Sequence, residues 1–364
     1  MTNPDPDPDS DPNPKPDPNP DPNPDPDRNP NPDPNPNPKP DPNSNLKPPK
    51  PPENDLRITH AHGDHVTITD PTTGVDLFSY VYRPEAAWEA PKPYLHPVRT
   101  LANAIVTDYR PNDHRWHKGL QMTASHLSGQ NLWGGNTYIH GKGYLELPER
   151  VGSMAHVAFD EITTEGTGTR AVLAERLTWH PYTGELWAEE ERRIEVHDVD
   201  PEAGSWALTW TSAVTNRRDE PLRFGSPTTA GRGLAGYTGL FWRGPRAFRE
   251  GRVLGPDPDA EGPGLMGQQA PWLAYSGEHD GADGHATLVF EHAPENDHTG
   301  SRGNHPAHWF VRNEPFAAVA PSLAFFDELE LLPGDTLTRR YRVVVADGAW
   351  EREEIAKYLE EHPW

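Results

Sequence analysis

A large all-β fold, two antiparallel sheets packed face to face as a sandwich, is what this chain predicts, and three observations predict it. Short runs of β-branched and aromatic residues at period two recur between residues 56 and 345, bounded by Gly, Pro and Asp. Helical spacing of apolar side chains is confined to one stretch near the C-terminus. The body, residues 55–348, has room for roughly fifteen or more strands at ordinary strand and turn lengths, more than an immunoglobulin-like sandwich uses.

The elements follow in order. Residues 56–60 and 66–69 alternate as strands into the Asp70-Pro71 turn, and 75–83 follows Gly74. Residues 171–179 and 186–196 flank a turn at Thr183-Gly184. Residues 206–214, 286–290 and 308–312 continue the pattern, with Trp179, Trp206 and Trp210 at core positions. The clearest hairpin signal joins 323–332 to 336–345 through Pro333-Gly334-Asp335. Residues 349–362 place Ile355, Tyr358 and Leu359 on one helical face, which predicts a terminal helix docked on a sheet. Residues 55–364 therefore read as a single sandwich domain.

Residues 1–54 are different material. They alternate Pro with Asp or Asn and carry half of the chain's 44 prolines, with Met1 and Leu46 as the sizeable apolar side chains. Such a segment has no apolar surface to offset the entropy of ordering. It reads as a disordered, polyproline-II-like tail, a spacer rather than a signal peptide, since it lacks an apolar h-region.

Charge and composition exclude several classes. The net charge is −23, and the tail's 11 acidic and 5 basic residues supply only a minor part of it. An acidic body gives no counterion release to drive nucleic-acid binding and no attraction to an anionic membrane surface. No run approaches the ~18 apolar residues of a membrane span. With no cysteine there is no disulfide, thiolate nucleophile or Cys-based metal site, and a cytoplasmic location is expected. Gly-x-Ser-x-Gly and His-Glu-x-x-His are absent from the sequence, and Gly231-Arg-Gly-Leu-Ala-Gly236 lacks the following helix pattern of a dinucleotide-binding unit.

Arg110-Pro-Asn-Asp-His-Arg-Trp-His-Lys-Gly119 is the densest run of titratable groups. His114 and His117 admit three readings: proton-transfer catalysts, ligands of a divalent metal together with Asp113 or Glu190, or structural hydrogen-bonders. Asp113 and Lys118 are candidates for contacting a substrate.

This loop, with Pro93-Tyr-Leu-His-Pro-Val98, Asn131-Leu-Trp-Gly134, Ile139-His-Gly141 and Leu337-Thr-Arg-Arg-Tyr-Arg-Val343, resembles the PmoA-like family. That is a domain of unknown function common in actinobacteria, whose members carry the label methane oxygenase. The resemblance spans roughly residues 90–348 and implies a sandwich similar to galactose mutarotase, a fold of carbohydrate epimerases, lyases and hydrolases. The family loop commonly reads His-Pro-His-His-Arg-Gly; here the middle histidine is absent, and Arg115, Trp116 and Lys118 stand at neighbouring positions.

Other constellations extend the candidate site. His140 lies among glycines that let a backbone approach a ligand, a setting in which it contacts a sugar hydroxyl or merely makes a turn. Trp133 and Trp116, in polar loops, are candidates to stack on a pyranose face. Glu190 and Arg192 share one strand face, as an exposed ladder, a buried ion pair or a substrate clamp. Arg232, in the Gly-rich stretch 228–236, is placed to hold a carboxylate or a hydroxyl pair. His305, His308 and Arg312 stand close to one another in sequence, and the two histidines are expected near the same opening.

The expected function is acid–base catalysis on a sugar, keto-sugar or glycoside, of lyase, epimerase or hydrolase type. His114, His117 and His140 are the candidate catalytic residues. A non-catalytic sugar-binding module and a metal-dependent oxygenase remain the alternatives, and a divalent metal is the one cofactor that enters any of these readings.

Overall fold

Period-two burial builds two eight-stranded antiparallel sheets. The computed structural model describes residues 55–166, 168–281, 283–298 and 306–364, so the expected tail and His305 lie outside the described residues. The first sheet runs, in spatial order, Arg57–Ala61, His65–Thr69, Asp76–Val81, Tyr94–Val98, Leu120–Thr123, Gly239–Arg243, Ala318–Ser322 and His308–Arg312. The second runs Arg252–Leu254, Trp272–Glu278, His285–His292, Thr336–Asp347, Ser205–Asn216, Ala188–Asp200, Arg170–His180 and Ser153–Glu165. A three-stranded sheet (Leu329–Leu331, Leu222–Gly225, His126–Leu127) and the hairpin Thr137–Ile139/Gly143–Leu145 complete the described strands.

One face of each large sheet supplies the main core. Phe78, Leu95, Trp242 and Trp309 come from the first, and Trp179, Trp206, Trp210 and Val343 from the second. The helix Arg352–Glu361 covers the outer face of the second sheet. Its Ile355 is fully buried against Ala207, Val289 and Val344, which alternate with core residues along their strands. A reciprocal capping box between Glu351 and Glu354 starts the helix three residues later than its apolar spacing suggests.

The hairpin expected at 323–345 does not form. Thr336–Asp347 pairs instead with Ser205–Asn216 on one side and His285–His292 on the other. Both of its edges are therefore taken, and Leu329–Leu331 pairs with Leu222–Gly225 in the small sheet. The turn signal at Pro333-Gly334 was local and could not name the partners of a central strand.

The charged run at 189–193 alternates sides. Glu190 and Arg192 are 0% and 1% exposed, while Glu189, Glu191 and Arg193 point outward or lie half-buried. Arg192 Nε and Nη2 each lie 2.8 Å from a Glu190 oxygen. Trp179 Nε1 and Ser212 Oγ also donate to that carboxylate, at 2.8 and 2.7 Å. Arg192 reaches across the core to the Tyr80 hydroxyl at 2.9 Å, and Tyr80 donates to Glu175, which also faces His156 at 2.6 Å. The pair is thus a cross-sheet polar network inside the sandwich, not a substrate clamp.

Burial also sets an acid limit. Burial, aided by Arg99 and opposed by Asp108, lowers His96 from 6.5 to about 4, and burial lowers His117 and His126 in the same direction. These imidazoles stay neutral when folded and take protons on unfolding, so the unfolded state binds more protons below pH 6.5. Stability should be fully present above about pH 6.5 and fall as pH drops toward 4. Denaturant midpoints measured across that window should show the decline, and His96→Asn should flatten it.

Candidate active site

The first sheet carries a separate apolar layer on its outer face, and the site is built on that layer. Along Gly239–Arg243, Leu240 and Trp242 enter the main core, whereas Phe241 joins a second cluster with Trp133, Phe310, Ala318, Ala320 and Phe325. Trp309 and Val311 likewise face the core while Phe310 faces outward, and period two places Arg312 on the same side as Phe310. The alanines contribute only methyl groups between larger neighbours, which keeps this floor low.

The loop between the strands Tyr94–Val98 and Leu120–Thr123 forms one wall. Its base is closed by Gly119 N donating to Asp108 O and by Arg110 N donating to His117 O, both at 2.9 Å. Gly119 has φ +59°, and a Cβ there would stand 2.0 Å from the Leu95 carbonyl oxygen, so the chain turns at this point only with glycine. Beneath the loop, buried Glu89 binds Arg110 at 2.6 Å and Lys118 at 2.8 Å. Burial pushes the Glu89 carboxyl up, but the two cations overcome it and hold it below the ordinary carboxylate range. Lys118 therefore anchors the loop.

Asn131 shapes the facing turn by accepting from Trp133 N and Gly134 N, both at 2.9 Å. Buried Lys92 donates to the Trp133 carbonyl at 2.7 Å. Trp116 lies over Gly134 and Gly135, and a Cβ on Gly135 would meet the indole ring at 2.4 Å. Gly135→Ala should cost about 1–3 kcal/mol through overpacking. A lowered denaturant midpoint together with altered tryptophan fluorescence would mark the displaced ring.

These parts enclose a cleft of about 410 Å³. His114 and His117 sit in its wall with ring centroids 4.8 Å apart. His117 is 2% exposed, and its Nδ1 lies 3.1 Å from Arg243 Nη1. A guanidinium can only donate, so Nδ1 accepts and the ring proton resides on Nε2. Burial, then the charge of Arg243, keeps this imidazole neutral. Arg243 itself lies over the Phe316 ring at 3.9 Å and is lowered to about 10, chiefly by burial.

His114 is half-buried, with Asp113 Oδ2 3.2 Å from its Nδ1. Burial lowers it below its ordinary value, with Arg243 and Arg312 adding to the effect and Asp113 opposing it. That direction favours the neutral imidazole, the form able to accept a proton. Also in the lining, Arg232 donates to the Tyr144 hydroxyl, which lies 2.6 Å from that of Tyr237.

The cleft brings together Asp113, His114, His117, Trp133, Arg232 and Arg312 from distant parts of the sequence. Trp133 is only 5% exposed and packs on Phe241 and Tyr237, so it forms floor rather than a stacking platform. His140 is exposed against the Gly231 backbone and does not line the cleft. Lys118, Glu190 and Arg192 are committed to buried ion pairs elsewhere. His308 shares the strand face of Arg312 but lies farther along, bonded to Gln269 at 3.0 Å and packed on Phe326.

Sequence reasoning missed Arg243, Tyr144, Tyr237, Phe310 and Phe316. The available signal was the alternation Gly239-Leu-Phe-Trp-Arg243, which sends Phe241 to the face opposite Leu240 and Trp242. The described residues do not assemble the metal ligand set of His114 and His117 with Glu190. Glu190 is sealed in the sandwich, Arg243 occupies Nδ1 of His117, and among the described residues no group of three His, Asp or Glu can hold a metal ion.

No curated protein matches the chain. Solved structures similar to it include an α-galactosidase from Lactobacillus brevis, with 10% identity over 84% of this chain and 41% of that one and a TM-score of 0.36. A GH36 α-galactosidase from Geobacillus stearothermophilus has 13% identity over 80% and 41%, with a TM-score of 0.38. The galactose 1-epimerase from Lactobacillus acidophilus NCFM has 9% identity over 81% and 100%, with a TM-score of 0.37. The chain spans about two fifths of the length of these α-galactosidases. A family model matches residues 70–360, most of the sandwich and helix, and its description names no activity and no oxygenase. The chain belongs to that family, the family of unknown function DUF6807.

Proposed function

We propose that the cleft binds a sugar, keto-sugar or glycoside and that His114 transfers a proton to or from it. The observation that supports this reading most is the placement of His114: a half-buried imidazole in the wall of an aromatic-lined cleft, with Asp113 Oδ2 3.2 Å from its Nδ1. A volume of about 410 Å³ lies within the range of small-molecule sites. In this reading His114 is the base, the Asp113 carboxylate beside it stabilises its protonated form, and the aromatic walls pack against ring C–H faces. His117, held in one tautomer by Arg243, is a positioning residue behind it.

The test is product analysis by NMR after incubating the wild type and His114→Asn with sugars, glycosides and 3-keto derivatives. Turnover by the wild type that is lost in the variant is the expected result. Equal turnover by both removes His114 from the reaction. A second reading, a non-catalytic sugar-binding module, draws support from the ring of aromatic side chains, and predicts binding by both proteins with turnover by neither.

A further inference from the structure

We infer that the ligand of this cleft is an anionic sugar, one bearing a carboxylate or a phosphate, whose oxyanion is gripped between Arg232 and Arg312. This rests on the sugar-cleft reading above and adds the ligand's charge to it.

The argument starts from a cost. A guanidinium withdrawn from water is unfavourable unless an opposite charge accompanies it. Two buried guanidiniums meet that demand: Arg192 has Glu190 and Arg342 has Glu291. Carboxylates are plentiful, with 56 acidic residues against 33 basic ones. Yet among the described residues neither Arg232 nor Arg312 has a carboxylate partner, although both are half-buried and both line the cleft. Burial and the neighbouring charge of Arg232 depress the Arg312 guanidinium, so the two cations strain against each other.

The arrangement is also fixed in place. Arg232 donates to Tyr144 and lies over that ring at 5.0 Å, while Arg312 lies 5.4 Å from the Phe310 centroid. Guanidiniums held on aromatic faces keep their N–H forks free for a planar carboxylate or a phosphate. Arg243 stands behind His117, with its own carboxylate, Asp108, at 3.9 Å. The acid that lines the cleft, Asp113, is taken by other partners, 3.2 Å from His114 Nδ1 and 3.8 Å from Arg246, and forms no ion pair with Arg232 or Arg312. In so acidic a protein, a carboxylate-free pair of cations in an aromatic cleft is complementary to an anion brought by the ligand.

Calorimetric titration at fixed ionic strength tests this. The probes are glucuronate and galacturonate, glucose 6-phosphate, and neutral glucose and galactose, with the wild type, Arg312→Gln, Arg312→Lys and Arg232→Gln. The expected result is at least one anionic sugar binding about 10–100-fold more tightly than its neutral counterpart. Arg312→Gln and Arg232→Gln should erase that preference, and Arg312→Lys should keep part of it. Uronates and glucose 6-phosphate separate a carboxylate from a phosphate. Neutral sugars binding as tightly as anionic ones, with no effect of the arginine variants, would overturn the anion assignment and leave the sugar cleft standing. Binding of no sugar by the wild type would overturn both.

Discussion

His114→Asn should lower turnover by about 10²–10⁴-fold, the usual contribution of a general acid or base, while leaving the fold intact. The side chain is half-buried at the cleft wall, so its exchange for a smaller polar group leaves the core unperturbed. The pH dependence adds an independent readout. Burial together with Arg243 and Arg312 holds His114 below its ordinary value, so the basic form should dominate at neutral pH. The rate should be flat through neutrality and fall on the acid side as pH drops through that lowered value. Removing Arg312 lifts one of the charges that depress His114, and should move the acid limb to higher pH. A rate profile that is unchanged in the Arg312 variant would assign the acid limb to some other group.

Glu190→Ala should destabilise the protein by about 3–5 kcal/mol, the cost of leaving a buried charge without its partner. Arg192 would remain fully buried with its bidentate acceptor gone, and Trp179 Nε1 and Ser212 Oγ would lose theirs. The network joins the two sheets through Tyr80, so the loss should appear in global unfolding and not as local fraying. Replacing Glu190 and Arg192 together by apolar residues of similar volume should recover much of that stability, because such pairs often break even against hydrophobic packing. Urea denaturation of the single and double variants measures both. A single variant as stable as the wild type would show that the pair carries no net energetic role.

The two cases differ in how far the residues announced themselves. The Glu190/Arg192 face was legible from strand alternation at 189–193, since period two needs no tertiary information. What the alternation could not say is that this face meets Tyr80 and Trp179 instead of a ligand. The His114/His117 loop stood out by its density of titratable groups. Its separate roles were not legible, because they depend on Arg243, more than a hundred residues away and unremarkable in its own strand. His140 had the right neighbours in sequence but is exposed beside Gly231, outside the cleft lining. Tyr144 and Tyr237 gave no local sign at all.

The sequence by itself determined the all-β class, most of the long strands, the terminal helix and the loop that lines the cleft. Each of these follows from local propensity and periodicity, which act over a few residues. The tertiary structure alone decided strand partners, as at Thr336–Asp347, and which charges are paired. It also decided that the outer face of the first sheet, not the interior of the sandwich, holds the site. Partnership and burial are set by contacts between residues far apart in the chain, and a guanidinium left without a carboxylate is recognisable only once its neighbours are in place.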